Sequence, residues 1–317
     1  MLQSEKLQLL ITVSKLYYIE NLTQGEIAKI LGVSRPLISK YLQEAKSLGV
    51  VKIEINEFSN QNKEDEIIKK LCQQFNLKNI SIIPSSANEE LNNQMFIDYL
   101  NSYLLSNYVD NSLIGLGWGS VIGDFINKFE PLDNSRKKLG KIVPIIGNAP
   151  ISYRNYHTNE LVRMFAEKSG LKCEYLYAPV ICSNSDQKDL FMNIDQVKTL
   201  FKYYKKLDYI VSQIRNFPSV PDLATEARFE KLLQENHACG MVLGYYFNVD
   251  GEIITSPHDY SIQIPLKDFR SARVRVGIMN SKINTNAAIG ALRTGLFNDI
   301  LITENLLQEL LSKGYIE

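Results

Sequence analysis

Apolar residues at Leu7, Leu10, Ile11, Val13, Leu16 and Tyr17 recur at helical spacing and predict an amphipathic helix over residues 4–20. Asn21 and Leu22 break the pattern. Thr23-Gln24-Gly25-Glu26 then reads as a capping box, in which the Glu26 amide donates to the Thr23 hydroxyl and the Thr23 amide donates to the Glu26 carboxylate. A short second helix continues through Ile27, Ala28, Ile30 and Leu31. Gly32 stops it, because glycine accepts the positive φ of a helix-ending turn. Ser34 opens a third helix as N-cap, with Arg35 and Pro36 in the first turn, where proline costs no hydrogen bond. Leu37, Ile38, Tyr41, Leu42 and Ala45 form its buried side. A small residue at Ala28, a turn glycine at Gly32 and an apolar anchor at Ile38 are helix-turn-helix grammar. Val50-Val51-Lys52-Ile53-Glu54-Ile55 alternates like a strand and predicts a wing or a lead into the next domain.

Beyond a linker near Asn56–Asn62 the pattern changes to alternating strands and helices. Helices are predicted over 63–75, 89–107, 157–169, 194–206, 223–236, 284–294 and 303–313. A further helix after residue 119 carries Ile122, Phe125 and Ile126. Strands are predicted at 79–83, 112–116, 142–146, 173–177, 207–211, 274–278 and 300–302, with a hairpin arm at Met241–Phe247 closed by Asn248-Val249-Asp250-Gly251. Such alternation predicts an α/β fold with a mostly parallel sheet. The division is therefore 1–56 for a winged helix-turn-helix domain and 57–317 for a Rossmann-like domain.

The third helix turns Ser34, Arg35, Ser39, Lys40 and Gln43 away from its core. Arginine and glutamine suit base edges, and serine and lysine suit phosphates, so double-stranded DNA is the expected partner. Residues 1–56 hold seven basic and five acidic side chains. The spacing therefore carries this reading, and net charge adds little.

The whole chain is charge-balanced, with 35 basic and 35 acidic residues among 317, which rules out a general polyanion coat. No apolar run approaches membrane-spanning length and the N-terminus lacks a signal pattern, so a cytoplasmic location without membrane contact is expected. Cys72, Cys173, Cys182 and Cys239 contain no C-x-x-C pair, and the three histidines are scattered. Neither a disulfide framework nor a metal or other cofactor is expected.

In parallel sheets, ligands sit beyond the carboxyl ends of strands. This points to Gly115-Leu116-Gly117-Trp118-Gly119-Ser120 at a strand-to-helix turn. Its glycines let backbone amides approach an anion, and Ser120 adds a donor. The order is neither G-x-G-x-x-G nor a Walker motif, which argues against a nucleotide.

The segments LYYIENLTQGEIAKILGVSRPLISKYLQEAKSLGVVKIEI, GLGWGSVI, LYAPVI, GYYFNVDG and AAIGALRTGLFNDILITENLLQELL, in that order, resemble the SorC/DeoR type of sugar-responsive bacterial transcriptional regulators. The resemblance covers nearly the whole chain. It implies an effector domain similar to the sugar-phosphate isomerase and glucosamine-phosphate deaminase fold. It also implies a homo-oligomer, a tetramer built as a dimer of dimers, and a sugar or sugar-phosphate effector. Gly117, Trp118, Gly119 and Ser120 match the family's phosphate-side loop, with Val121 where a second hydroxyl is usual. Asn248 takes the place of an aspartate that contacts sugar hydroxyls, and Gly147 and Asn148 complete the expected pocket. Thr285 stands at the usual lysine, with Lys282 three residues earlier. Gln213-Ile214-Arg215 replaces a glycine-containing loop. Lys282 and Arg215 are thus the two candidates for the missing cation.

Two functions remain open: an effector-controlled repressor or activator, and a sugar-phosphate isomerase or deaminase-like enzyme with a DNA-binding extension. The enzyme needs a proton-transferring pair. Asn148, Asn248 and Gln213 cannot serve, and Asp186, Asp195 and Asp250 form no recognisable pair. His258 is the remaining acid/base candidate. The regulator is the reading the sequence favours.

Overall fold

The computed structural model describes residues 3–20, 22–51, 61–133, 136–149, 152, 157–218, 223 and 226–316. It forms two compact units, Met1–Asn62 and Lys63–Glu317. The first holds α1 (Gln3–Tyr18), α2 (Gln24–Leu31) and α3 (Arg35–Ser47). Val13, Ile27, Ala28, Ile38 and Leu42 make its small core. The capping box is formed: the Glu26 amide donates to Thr23 Oγ1 at 3.3 Å, and the Thr23 amide donates to Glu26 Oε2 at 2.8 Å. Gly32 ends α2 at φ 66°. Ser34 adopts the extended N-cap backbone, but its side chain makes no capping bond; its carbonyl accepts from Leu37 and Ile38 instead. The expected wing and linker fall largely outside the described residues.

The second unit runs α4 (Gln61–Phe75), β1 (Asn79–Ile83), α5 (Glu89–Asn107), β2 (Ser112–Leu116), α6 (Ser120–Lys128), β3 (Gly140–Pro144), α7 (Thr158–Ser169) and β4 (Lys172–Cys173). It continues with α8 (Ser185–Met192), α9 (Asp195–Tyr204), β5 (Tyr209–Asn216), α10 (Glu226–Phe229), α11 (Leu232–Glu235), β6 (Gly240–Val242), β7 (Tyr245–Phe247) and β8 (Ile253–Ile254). Then come α12 (Leu266–Ser271), β9 (Val274–Met279), α13 (Thr285–Arg293), β10 (Asp299–Thr303) and α14 (Glu304–Ser312).

The strands order as β1-β10-β9-β5-β2-β3-β4, and every neighbouring pair is parallel. All five residues of β10 and the first seven of β5 are buried. Successive side chains on a strand point to opposite faces, so both faces are covered there. From β2 the chain proceeds to β3 and β4, then returns to the other side of β2 as β5 and moves on toward β9. The carboxyl ends of β2 and β5 thus flank a topological switch point.

Several elements differ from the sequence reading. The strand expected at 142–146 is β3, two residues earlier, and of 173–177 only Cys173 lies in a strand, the two-residue β4. The expected helix 223–236 is instead two short turns, α10 and α11. The apolar run 241–247 folds back on itself: β6 and β7 pair antiparallel through a turn at Leu243-Gly244, with Leu243 at φ 54°. β6 also pairs antiparallel with the end of β5, and β8 pairs with β7. Helices α8 and α12 were not anticipated, because their short polar segments carry a weak apolar period.

A buried carboxylate opens β10. Burial raises the Asp299 pKa, and the hydrogen bonds from Tyr103 Oη and Asn79 Nδ2 offset this only in part. A folded-state pKa above the unfolded one stabilises the fold below the unfolded pKa, and this contribution is lost as pH rises through the folded value. Asp299→Asn is therefore expected to flatten the decline in stability between pH 4 and neutrality. Chemical denaturation across that range checks it, and an unchanged pH profile contradicts it.

Candidate functional site

The loop that leaves β2 is built by close approach. A Cβ on Gly117 would lie 2.7 Å from Ser212 Oγ and 3.1 Å from Leu243 Cδ2, so no larger residue fits between β5 and the arm. Trp118 turns its ring into the core at 1% exposure. Gly119 sits at φ 138° and ψ 165°, a region open essentially to glycine alone. A Cβ there would lie 2.1 Å from Gln213 Oε1. Ser120 is exposed and begins α6. The Val121 amide, at the pole of α6, donates to Gln213 Oε1 at 3.0 Å, and Gln213 Nε2 lies 3.5 Å from Ser120 Oγ.

The Gly147-Asn148 loop leaves β3, the parallel neighbour of β2. A Cβ on Gly147 would meet the Pro179 carbonyl oxygen at 2.4 Å. Asn148 exchanges backbone hydrogen bonds with Ala178 and Val180, and its Nδ2 donates to the Leu176 carbonyl at 3.3 Å. Its Oδ1 accepts from Thr158 Oγ1 at 3.4 Å. Asn148 thus ties the loop to the start of α7 and the 176–180 segment.

The other sequence-predicted residues spread farther. Arg215 is buried in β5, in register with Met241, with Nη2 3.3 Å from the Met241 sulfur. Lys282 is 64% exposed, and its Nζ is 2.8 Å from Glu89 Oε1 at the start of α5. That contact, first as a hydrogen bond and then as a charge pair, lowers the Glu89 pKa. The Lys282 loop is tied to β5 by Asn216, whose Nδ2 donates to the Lys282 carbonyl at 2.8 Å and whose Oδ1 accepts from the Asn284 amide at 2.9 Å.

Asn248 stands at the end of β7 remote from the Leu243-Gly244 turn. Its Oδ1 accepts from the Asp250 and Glu252 amides, and its Nδ2 donates to Glu252 Oε2. The side chain that meets Gly117 from the arm is Leu243. Thr285, at the usual lysine position, accepts from Lys313 Nζ at 2.6 Å. His258 is half-exposed, with Nε2 4.0 Å from Glu230 Oε1. Among the described residues, no three His, Cys, Asp or Glu side chains cluster as a metal site.

Behind the arm lies an ion pair that the sequence does not reveal, its arginine buried and its carboxylate partly exposed. Arg228 Nε and Nη2 donate to the two Asp259 carboxylate oxygens at 2.7 and 3.0 Å. Nη2 also donates to the Gly244 carbonyl at 2.6 Å, while the Gly244 amide donates to Gln263 Oε1 at 2.8 Å. These bonds fix the turn that presses Leu243 onto Gly117.

On α3, Ser34, Arg35, Lys40 and Gln43 are exposed and Ser39 is half-buried, while Ile38, Leu42 and Ala45 face the core. A shallow cleft lined by Tyr17, Tyr18, Leu22, Thr23, Gln24, Gly25 and Arg35 lies where the N-termini of α2 and α3 converge.

The family model described as a sugar-binding domain matches residues 59–312. The sorbitol operon regulator of Klebsiella pneumoniae is 26% identical over 320 residues, covering 98% of this chain and 99% of that protein. The chain belongs to the SorC/DeoR-type sugar-binding regulators. The deoxyribonucleoside regulator of Bacillus subtilis (strain 168) is 24% identical, covering 95% of this regulator and 96% of that protein. The crystal structure of the full-length sorbitol operon regulator SorC from Klebsiella pneumoniae matches with a TM-score of 0.75 at 24% identity, covering 96% of this chain and 98% of that one, which shows the shared fold. The relatives are named regulators of transcription, and so is the function of this chain; the enzyme alternative finds no support. No described helix is long and apolar enough to cross a membrane.

Proposed function

We propose that residues 1–56 form a winged helix-turn-helix that binds operator DNA, and that residues 57–317 form a Rossmann-like domain, similar to the sugar-phosphate isomerases and deaminases, that binds a sugar effector. The observation that carries this is the near end-to-end match to named regulators, with a glycine loop at the switch point of the sheet. The effector sits over Gly117–Ser120, with Gly147 and Asn148 beside it, Lys282 and Asn248 as outer contributors and Arg215 buried beneath in β5. Its binding changes operator affinity.

Arg35 and Gln43 read base edges from α3, Lys40 meets phosphate, and Ser34 and Ser39 fix the docking. Arg35→Ala or Gln43→Ala is expected to relax base preference and cost about 1–3 kcal/mol each. Lys40→Ala weakens binding to all sequences and lowers the salt slope. Operator selection followed by anisotropy titration at several salt concentrations checks both. If the Arg35/Gln43 double alanine variant keeps its operator preference, the docking is wrong.

One α3 offers few base contacts, and paired half-sites about 34 Å apart are the usual remedy. A homo-tetramer, as a dimer of dimers, is the expected state. Multi-angle light scattering tests it: a monomer at concentrations that still bind operator sinks the assignment.

A further inference from the structure

We propose that Gln213 sets the chemical class of the effector: the glycine loop takes a hydroxyl of a neutral sugar or sugar alcohol and rejects a phosphate. This inference rests on the effector site assigned above. A helix N-terminus ordinarily offers free amides to an anion. Here that position is filled from within, because Gln213 Oε1 accepts from the Val121 amide at 3.0 Å. The space left by the missing Gly119 side chain is taken by the same carboxamide, 2.1 Å from where a Cβ would stand. An incoming phosphate would therefore meet the negative end of a carboxamide dipole where it needs a donor.

The cations do not reverse this. The Lys282 ammonium is paired with Glu89 at 2.8 Å, so the two charges offset one another. The Arg215 guanidinium is buried in β5 with Nη2 against the Met241 sulfur. A neutral hydroxyl faces different conditions, since it both donates and accepts. The Gln213 carboxamide likewise carries a donor, Nε2, which faces Ser120 Oγ.

Ser212 supplies an independent observation. Its hydroxyl is fully buried against Gly117 and has no hydrogen-bond partner in this structure. Its neighbour across the loop is a backbone without a side chain, so a ligand hydroxyl admitted by a small shift of Gly117 can pair with it. A hydroxyl matches this uncharged donor and acceptor without bringing a charge against a fully buried side chain.

The test uses the full chain and follows Trp118 fluorescence and thermal unfolding. The probes are inorganic phosphate and a panel of hexoses, pentoses and their alditols, each paired with its phosphate monoester. In the parent protein, at least one neutral compound should bind about tenfold or more tightly than its ester, and inorganic phosphate should have no effect. Gln213→Ala frees the Val121 amide, so it should gain inorganic phosphate binding and reverse the preference within pairs. Gln213→Ser provides the same opening if the alanine variant folds poorly. Gln213→Glu keeps an acceptor at the amide and should still exclude phosphate.

The proposal is overturned if the parent protein binds an ester at least as tightly as its neutral partner. It is also overturned if neither small variant gains phosphate binding, or if no neutral compound binds. Operator-binding assays separate this from the underlying site reading. Should the panel modulate operator binding while Gln213 variants leave all preferences unchanged, the effector function stands and the Gln213 assignment falls. If Gln213→Ala gains phosphate binding while no compound alters operator affinity, the Gln213 assignment stands and effector control falls.

Discussion

Arg228→Met is expected to lower stability by up to about 3–5 kcal/mol, because it leaves the largely enclosed Asp259 carboxylate without its counter-charge. The Arg228 side chain is 1% exposed and makes a two-pronged contact with Asp259. Its guanidinium lies 4.7 Å from the Phe229 ring centroid and 5.6 Å from that of Tyr246, so the charge is enclosed by aromatic rings as well. Methionine can fill the volume but cannot answer Asp259. The pH dependence follows from the same pair. Burial raises the Asp259 pKa, but hydrogen bonds and charge from Arg228, with further bonds from Ser261, outweigh it and hold the carboxyl below its usual range. A depressed folded-state pKa contributes stability above the unfolded pKa, and that contribution is lost as pH falls through the folded value. Arg228→Met should therefore show most of its deficit near neutral pH and converge on the parent protein in acid. Replacing both partners, Arg228→Met with Asp259→Leu, should recover much of the loss. Urea denaturation at pH 7 and in acid measures all three. A single-variant cost below about 1 kcal/mol, the level of an exposed pair, would mean that Asp259 is solvated after all.

The same region shows where sequence reasoning reaches and where it stops. Local signals were legible because the physics is local. The Thr23–Glu26 box spans one turn, Gly32 answers a single φ, and α5 and β2 lie at the bounds their apolar patterns suggested. The Arg228–Asp259 pair spans 31 residues and forms only when the arm folds over β5. The arm was legible as a hairpin turning at Asn248–Gly251, but its second reversal was not, because Met241–Phe247 reads as one apolar strand and nothing in Leu243 advertises a positive φ. The glycine loop was legible as a tight strand-to-helix turn. Its occupant was not: Gln213 lies 92 residues from the amide it satisfies, in a strand brought alongside β2 by the crossover from β4. Asn216, which ties the Lys282 loop to β5, was hidden for the same reason, since its partners lie 66 and 68 residues away.

Gly119→Ala should be the most damaging small change in the loop, for two separable reasons. The backbone at φ 138° and ψ 165° is essentially closed to residues with a Cβ, which costs about 1–3 kcal/mol. The new methyl would also stand 2.1 Å from Gln213 Oε1, closer than any real contact, so Gln213 must withdraw. The buried Val121 amide then loses its acceptor, for about 1–3 kcal/mol more. For a unit of this size each kcal/mol lowers the melting temperature by about 2–4 °C. Gly295→Ala is the control, since φ is +64° there and nothing lies within 4 Å of the added Cβ. It should show backbone strain alone. A double-mutant cycle with Gln213→Ala separates the two parts. With Gln213 shortened, the alanine at 119 has no carboxamide to displace, so its cost should shrink to the strain of its own backbone conformation. If Gly119→Ala costs the same in both backgrounds, the Gln213 carboxamide does not fill the space beside Gly119, and its hold on the pole of α6 is refuted with it.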